Sequence, residues 1–310
     1  GQHVVTTAME HNSVMRPLRA LEAEGVTVSV APCSPQGVLD PADVEQALRP
    51  ETALIAMTQA SNVVGTLLPV REVATLARAH GIPLLVDGAQ SVGAMPIDME
   101  DLGVDLLAFT GHKSLYGPTG TGGLVIGERM DAGRLRPFVH GGTGSWSESQ
   151  NQPEFLPDKF ESGTANAVGL AGLEAGVRWV MEQGVEELRD RGRGFTKRLI
   201  ERLGNIPGVT VYGTLDAAKQ LPVVSFTLDC LEPGELGLLL DERFGVAARV
   251  GLHCSPLAHS TLGTFPSGTV RLSLSAFTTV ADVDAAIDAV RQLACDARPI
   301  AAVEESSDRR

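Results

Sequence analysis

Short apolar runs and longer amphipathic segments alternate along the first half of the chain. Thr52 to Met57 is apolar almost throughout, which is typical of a strand buried in a parallel sheet. Val70 to His80 has helical periodicity and is followed by Gly81 and Pro83, which favour a helix end. The other predicted strands are His3–Thr7, Thr27–Ala31, Leu84–Asp87, Val104–Phe109 and Gly123–Ile126, with a short helix at Pro41–Leu48. This alternation predicts an α/β layered fold with a largely parallel sheet.

The pattern changes beyond residue 132. Gly133 to Lys159 has no periodicity and is predicted to be a long loop, and a loop of that length is usually functional. Ala165 to Leu203 is helical with a break near Gly184. The elements predicted after it are strands at Val209–Tyr212, Val223–Thr227, Val246–Arg249 and Thr269–Ser273, and helices at Glu232–Arg243 and Val280–Leu293. We expect a large domain over 1–165, connecting helices over 166–204, a small α+β domain over 205–296 and a disordered tail over 297–310.

Composition narrows the class of protein. The chain has 310 residues, 43% of them hydrophobic and 20% charged, which is the balance of a globular protein. A net charge of −13 disfavours non-specific binding to nucleic acid or to anionic lipid, and no apolar run approaches the ~20 residues that span a bilayer. Cys33, Cys230, Cys254 and Cys295 are far apart and form no CxxC, so neither a disulfide scaffold nor a metal site is indicated. A reducing, cytoplasmic location is expected.

Polar segments follow three of the predicted strands, at Ser61–Gly65, Asp87–Ser91 and Thr110–Pro118. Since the carboxyl ends of parallel strands share one edge of a sheet, these segments should lie together. They contain an acid, two amides, a histidine and a lysine. The glycine-rich run from Gly117 to Gly123 lacks the endings of a P-loop and of a dinucleotide fingerprint, so nucleotide binding is not favoured.

The set of side chains suits pyridoxal phosphate chemistry. A lysine that forms a Schiff base with this cofactor needs a nearby carboxylate that keeps the pyridine nitrogen protonated, and Lys113 and Asp87 suit these roles. Asn62 and Gln90 suit the ring oxygen, and Thr110 and His112 suit the phosphate. Spacing alone leaves the plainer interpretation open, in which Asp87 is a cap and Lys113 is a solvated surface residue.

A family resemblance strengthens this interpretation. The segments AMEHNS, SNVVGT, LLVDGAQSVG, TGHKSLYGPTGTGGL and FESGTANAVG resemble successive blocks of the class V (fold-type I) pyridoxal-phosphate enzymes, and the nearest branch is the cysteine desulfurases. The blocks stand in family order along nearly the whole chain, and GHK preceded by DGAQ is highly specific. The resemblance implies a three-layer α/β/α large domain with a mostly parallel sheet and a smaller C-terminal α+β domain.

The resemblance also implies roles for individual residues. Lys113 attaches to pyridoxal 5'-phosphate, Asp87 pairs with the pyridine nitrogen, and His11 stacks on the ring face. The residues for the ring oxygen are Asn62 and Gln90, those for the phosphate are Thr110 and His112, and Thr164 reaches the phosphate of the neighbouring subunit. Shared sites of that kind imply a homodimer. Without the resemblance, His11 near a helix start is equally well interpreted as a capping residue.

The segment Arg249–Pro256 bears on the reaction. A cysteine flanked by Gly and Pro on a loop is expected to be exposed, and His253 or Arg249 suits the stabilisation of its thiolate. The segment resembles the desulfurase loop whose Cys, here Cys254, takes the sulfur of substrate cysteine as a persulfide. Arg271 resembles the arginine that pairs with the substrate α-carboxylate, a task that suits a guanidinium fork. Cys33, Cys230 and Cys295 match no motif and are interpreted as structural.

The resemblance implies a cysteine desulfurase that converts L-cysteine to L-alanine and passes sulfur to an acceptor protein, as in iron–sulfur cluster assembly. The alternatives are a selenocysteine lyase, and a class V aminotransferase or epimerase in which Cys254 is incidental. Family members carry a segment before the point where this chain begins, which supplies a phosphate-cradling helix N-terminus, so an inactive fragment of the fold is a further alternative.

Overall fold

Two β-sheets organise residues 2–296, the part of the chain that the structure, a computed structural model, describes. Gly1 and the predicted disordered tail at 297–310 lie outside the described residues. The first sheet contains β1 (His3–Thr7), β2 (Thr27–Ala31), β3 (Thr52–Thr58), β4 (Leu84–Asp87), β5 (Leu106–Thr110) and β6 (Gly122–Ile126). Its strand order is β2-β1-β3-β4-β5-β6, with β1 to β5 parallel and β6 antiparallel to β5.

Apolar side chains are buried on both faces of this sheet. Val5 belongs to the main core with residues of α2 (Pro41–Ala47) and α3 (Val70–Ala79). Its neighbour Val4 belongs to a second cluster with Leu18 of α1 (Asn12–Glu22). Because successive side chains of a strand point to opposite faces, the sheet lies between two helical layers. The short helix α4 (Met99–Leu102) connects β4 with β5. The α/β fold that the sequence predicts is confirmed.

The strand order reverses direction next to β1. The chain proceeds from β1 to β2 on one side and then crosses to β3 on the other side. In open α/β sheets, ligands bind at the carboxyl ends of strands beside such a reversal. The fold therefore places a binding site where β1, β3, β4 and β5 end.

The second half of the chain forms a separate antiparallel sheet after two long helices, α5 (Ala167–Gln183) and α6 (Val185–Gly204). The sheet has the order β7-β8-β10-β9. The elements are β7 (Val209–Tyr212), β8 (Val223–Leu228), α7 (Pro233–Phe244), β9 (Arg249–Gly251), α8 (Pro256–Leu262), β10 (Thr269–Ser273) and α9 (Val280–Asp296). Helices α6, α7 and α9 cover its core. One helix departs from this grouping, because Ala258 and Leu262 of α8 are buried in the core of the first sheet.

Some sequence predictions of elements differ from the structure. The strand expected at Val246–Arg249 occurs at Arg249–Gly251, because Gly245 is a left-handed cap of α7 and strand pairing with β10 begins only at Arg249. Helices α4 and α8 were not predicted, since each has at most seven residues, and of α1 only the start near His11 was expected, because Pro17 interrupts its pattern. The long loop is confirmed, with only a 3-10 turn at Ala132–Arg134 before α5. Within residues 2–296 no helix is both long and apolar enough to cross a membrane.

The loop after β3 contacts the segment before β8 at Gly65, and we predict that this position tolerates no side chain. Its φ is +74°, and a Cβ there would lie 2.7 Å from the carbonyl oxygen of Leu221. We expect Gly65→Ala to lower the free energy of unfolding by about 2 kcal/mol or more, because left-handed strain and a backbone clash add together. Urea unfolding followed by circular dichroism measures this change.

Gly81→Ala is the matched control, since Gly81 has a φ of +66° and nothing within 4 Å of the added Cβ. It should cost only the left-handed strain, about 1 kcal/mol. Equal losses for the two variants would contradict the close contact at Gly65.

Candidate active site

The carboxyl ends of four adjacent strands carry most of the predicted site residues. His11 follows β1, Asn62 follows β3, Asp87 ends β4, and Thr110 ends β5 just before Lys113. In the sheet these strands lie side by side in the order β1-β3-β4-β5. The structure therefore brings this group to one edge of the sheet, as the sequence predicts.

Lys113 is half-buried in the turn that follows β5. Burial lowers the pKa of its amine, the Asp87 carboxylate acts in the opposite direction, and the Arg271 guanidinium lowers it further. A lowered pKa increases the fraction of the neutral amine, the form that reacts with a carbonyl. Lys113 is thus an activated amine close to one acid and one further cation.

The turn that carries Lys113 is fixed by backbone contacts and by an aromatic cluster. Tyr116 N donates to Lys113 O at 2.9 Å, and Ala276 N donates to the Tyr116 hydroxyl at 2.8 Å. Tyr116 also packs edge-on against Trp179 and Phe277, with ring centroids 5.2 and 5.4 Å away. No local pattern indicates this support, because its partners come from α5 and from the segment between β10 and α9.

A buried acid, Glu10, lies behind Asp87 and was also missed. Its carboxyl accepts hydrogen bonds from Thr7 Oγ1 at 2.5 Å and Thr58 N at 3.0 Å. Burial raises the pKa of Glu10 to about 8, and the charge of Asp87 contributes to the increase. Glu10 is therefore neutral at pH 7. The acid directly before His11 in AMEHNS was the signal available in the sequence.

His11 is the N-cap of α1, so the capping interpretation of this residue is correct as far as Nδ1 is concerned. Nδ1 accepts from Ser13 N at 3.0 Å, which orients the ring. Burial lowers the pKa of His11, and the nearby Lys113 amine lowers it further. A neutral ring next to Lys113 remains compatible with stacking on a cofactor, which stays a prediction.

The small sheet supplies Arg271 and Arg249. These residues are paired across the β9–β10 ladder, where their two positive charges repel each other. Arg271 Nη1 donates to Asn62 O at 2.8 Å, while its Nε is buried and has no partner within residues 2–296. An unpaired donor beside a second cation fits a carboxylate ligand.

Cys254 lies on the turn between β9 and α8, and it is exposed, as predicted. The backbone there is strained, since His253 and Cys254 have φ values of +50° and +60°. Left-handed conformations at non-glycine residues cost about 1–3 kcal/mol each, so neighbouring contacts must hold them. Arg271 and Cys254 are close enough for the thiolate charge to raise the pKa of the arginine.

Asn62 joins this turn to the first sheet. Its Nδ2 donates to His253 O at 2.8 Å, and its Oδ1 accepts from Ser255 Oγ at 2.7 Å. The amide therefore contacts the cysteine turn, a role that sequence analysis did not predict. One Nδ2 hydrogen is left, so the predicted contact with a ring oxygen stays a prediction.

His253 does not stabilise the Cys254 thiolate by charge, and that expectation is wrong. Burial lowers the pKa of His253 to about 3, and Arg271 contributes, so the ring is neutral. Its Nε2 lies 3.1 Å from Thr269 Oγ1, and its ring lies 5.3 Å from that of His259. The histidine packs beneath the turn, which leaves the arginines as the cations near the thiol.

The remaining predicted residues lie around this centre. Gln90 and Thr110 are half-buried, and Thr110 Oγ1 lies 3.5 Å from Ala89 O. His112 and Thr164 are exposed. Their predicted contacts with a phosphate stay predictions.

Two of the other cysteines correct the sequence interpretation. Cys230 and Cys295 are exposed, so they are not structural thiols in a core. Cys33 is partly buried, and burial raises the pKa of its thiol to about 12. Exposure alone thus does not distinguish Cys254, whereas its position beside Arg271 does.

Comparison with known proteins shows the family of this chain. The profile of the family described as Aminotransferase class-V matches residues 1–286. A probable cysteine desulfurase of Halalkalibacterium halodurans is 34% identical over 295 residues, which are 92% of this chain and 69% of that protein. A cysteine desulfurase of Pectobacterium atrosepticum is 34% identical over 297 residues, with 94% of this chain and 71% of that protein covered.

Solved structures show the same fold. The apo cysteine desulfurase of Thermococcus onnurineus superimposes with a TM-score of 0.89 and 31% identity, covering 96% of this chain and 73% of that chain. A cysteine desulfurase of Escherichia coli gives a TM-score of 0.85 at 27% identity, covering 96% of this chain and 72% of that chain. The chain therefore belongs to the aminotransferase class-V family, in the branch that contains the cysteine desulfurases.

Proposed function

We propose that this protein is a pyridoxal-phosphate-dependent cysteine desulfurase, which converts L-cysteine to L-alanine and keeps the sulfur as a persulfide on Cys254. The observation that carries the proposal is the position of an exposed thiol on a strained turn. That turn is hydrogen-bonded to Asn62 at the sheet edge that also bears Lys113. A class-V aminotransferase that makes only keto acids has no use for such a thiol.

The residues at the sheet edge fit the cofactor. The Lys113 amine, whose pKa is lowered by burial, the Asp87 carboxylate and the ring of His11 match the aldehyde, the pyridine nitrogen and the ring face. Gln90 and the free Nδ2 hydrogen of Asn62 would hold the ring oxygen, and Thr110, His112 and the partner subunit's Thr164 would hold the phosphate. When bound, pyridoxal phosphate withdraws electrons from the substrate α-carbon.

The chain's own groups then divide the work. Arg271 binds the α-carboxylate of L-cysteine through its unpaired Nε and its fork, and Arg249 adds positive charge next to it. Lys113 Nζ removes the α-proton and later returns a proton to the product, and its lowered pKa increases the fraction of the amine that can accept a proton. Because burial raises the pKa of Glu10 and favours its neutral form, Glu10 adds no second negative charge close to Asp87.

Sulfur transfer balances without a further reactant. The Cys254 thiolate attacks the substrate sulfur, so that a sulfur–sulfur bond forms and the bond from substrate Cβ to sulfur breaks. The electron pair of the broken bond and a proton go to Cβ, which becomes the methyl group of alanine. The two sulfurs are oxidised to the persulfide level while Cβ is reduced. Because Cys254 is exposed, the persulfide is accessible to an acceptor protein.

Exposed apolar side chains support a homodimer with shared sites. Phe138 and Val168 are 99% and 87% exposed, and Trp146 and Leu124 are also exposed. These residues come from the long loop, α5 and β6, and Thr164 lies shortly before the start of α5 at Ala167. We expect a partner subunit to cover these side chains, because exposed apolar side chains are buried in protein interfaces. A cytoplasmic location remains our expectation from the cysteine pattern.

We expect Cys254→Ala to abolish alanine formation from L-cysteine, because no other group on the turn can accept the sulfur. Alanine release and protein-bound persulfide are measured with the cofactor-loaded protein, whose absorbance should be unchanged. Cys230→Ala is the matched control, since Cys230 is exposed but lies between β8 and α7. Desulfuration that survives in Cys254→Ala contradicts the assigned role.

The products separate the proposed reaction from its alternatives. A desulfurase releases alanine from L-cysteine and leaves a persulfide on the enzyme, whereas an aminotransferase yields a keto acid. A selenocysteine lyase acts on selenocysteine but not on cysteine.

We expect Arg271→Lys to reduce kcat/KM for L-cysteine about 10- to 100-fold. Replacing the fork by a single ammonium loses one charge-assisted hydrogen bond, which is worth about 1.5–3 kcal/mol. Steady-state kinetics of alanine formation measure the change, and most of it should appear in KM. Arg198→Lys, which alters a surface pair with Asp284 in the same domain, should leave kcat/KM unchanged. An unchanged KM in Arg271→Lys would argue against carboxylate binding.

A further inference from the structure

The turn that carries Cys254 needs external support, because two consecutive residues are left-handed. His253 has a φ of +50° and Cys254 a φ of +60°, and neither is glycine. Without contacts to other elements, such a turn relaxes toward ordinary backbone conformations. The thiol itself is exposed and contributes no packing of its own. The support must therefore come from groups next to Cys254.

Both ends of the turn are fixed to different parts of the protein. On one side, β9 pairs with β10 of the small sheet through Gly251. On the other side, α8 begins at Pro256 and buries Ala258 and Leu262 in the core of the first sheet. Only the four residues 252–255 bridge these anchors. A small change in this bridge shifts the thiol relative to Lys113.

Three hydrogen bonds hold the bridge to Asn62 and to the start of α1, and the two that involve Asn62 are buried. Ser255 Oγ donates to Asn62 Oδ1 at 2.7 Å, and Asn62 Nδ2 donates to His253 O at 2.8 Å. Asn12 N, at the start of α1, donates to Cys254 O at 2.8 Å. Ser255 is fully buried and Asn62 nearly so, which means that water does not replace these bonds.

The Ser255 hydroxyl holds the acceptor end of the Asn62 amide. The carbonyl of His253 can only accept a hydrogen bond, so it selects the orientation in which Nδ2 faces it and Oδ1 faces Ser255. The Ser255 hydroxyl then donates to Oδ1, so that both ends of the buried amide are held. An alanine at 255 would leave Oδ1 buried without its donor and would loosen the amide that holds the turn.

We propose that Ser255 is a positioning residue for sulfur transfer, which acts through Asn62 to hold the Cys254 turn in its left-handed conformation toward Lys113. The expected change in kcat rests on the proposed desulfurase function. The expected change in the conformation of the turn rests on the structure alone. Ser255 touches neither substrate nor cofactor in this account. Its contribution is to keep the thiol within reach of the substrate sulfur.

The test compares Ser255→Ala with the wild-type protein, both loaded with pyridoxal phosphate. We expect kcat for alanine formation to fall about tenfold or more, because misplacing a reacting group by a fraction of an ångström has effects of this size. KM for L-cysteine should stay within about twofold, since Arg271 is untouched. Ser260→Ala is the matched control: Ser260 lies in α8, which begins directly after Ser255, is exposed and donates to Pro256 O.

Hydrogen exchange gives a second readout that does not depend on activity. The Asn12 amide is distant in sequence, and the turn protects it through Cys254 O. Peptides containing Asn12 and residues 252–256 should exchange faster in Ser255→Ala, while β3 peptides should not change. Faster exchange throughout the protein would indicate general destabilisation and would overturn the proposal.

Each outcome has a separate meaning. A wild-type protein that releases no alanine contradicts the desulfurase function, and the exchange comparison then still decides whether Ser255 holds the turn. Faster exchange at Asn12 and at 252–256 with an unchanged kcat would show that Ser255 supports the turn but that catalysis does not need this support. That result overturns the positioning role. Unchanged exchange at Asn12 also overturns it.

Discussion

Parallel pairing of the first five strands is the constraint on which the site depends. Because β1, β3, β4 and β5 run in one direction, the residues that follow them meet at one edge, although they are separated by up to about a hundred positions. Lys113, Asp87, His11 and Asn62 all follow strands of this group. An antiparallel neighbour at any of these places would send one of them to the opposite edge. The topology of the sheet therefore determines which side chains can lie together in the site.

Burial at that edge then determines the charge states. It lowers the pKa of Lys113 and of His11, raises that of Glu10 to about 8, and lowers that of His253 to about 3. These shifts favour the neutral forms of Glu10, His11 and His253. They also give Lys113 a larger neutral fraction than a lysine in water has. The fixed positive charge comes from Arg271 and Arg249 in the other sheet. A substrate carboxylate thus has a defined place beside the thiol of Cys254.

Much of this could be predicted from the sequence, and what could not has physical reasons. Apolar strands such as Thr52–Thr58 and the polar residues after them are local patterns, so the fold and the sheet edge were accessible. The role of Asn62 toward Ser255, and of Tyr116 toward Phe277, depends on contacts between residues more than 150 positions apart. Helix α8 was not predicted because it has only seven residues, and of α1 only the start near His11 was expected because Pro17 interrupts its pattern. The neutral state of His253 follows from burial, which spacing does not reveal.

Lys113, among the lysines of the chain, is placed to bind the cofactor. Sodium borohydride reduction of the protein incubated with pyridoxal phosphate, followed by peptide mapping, tests this most directly. The chain has four lysines, Lys113, Lys159, Lys197 and Lys219. Lys159 is more deeply buried than Lys113 but is paired with Glu154 and donates to Ala132 O, so it should remain unlabelled. The account predicts a stoichiometric label on Lys113. A label distributed over the other lysines, or absent from Lys113 in folded protein, would contradict it.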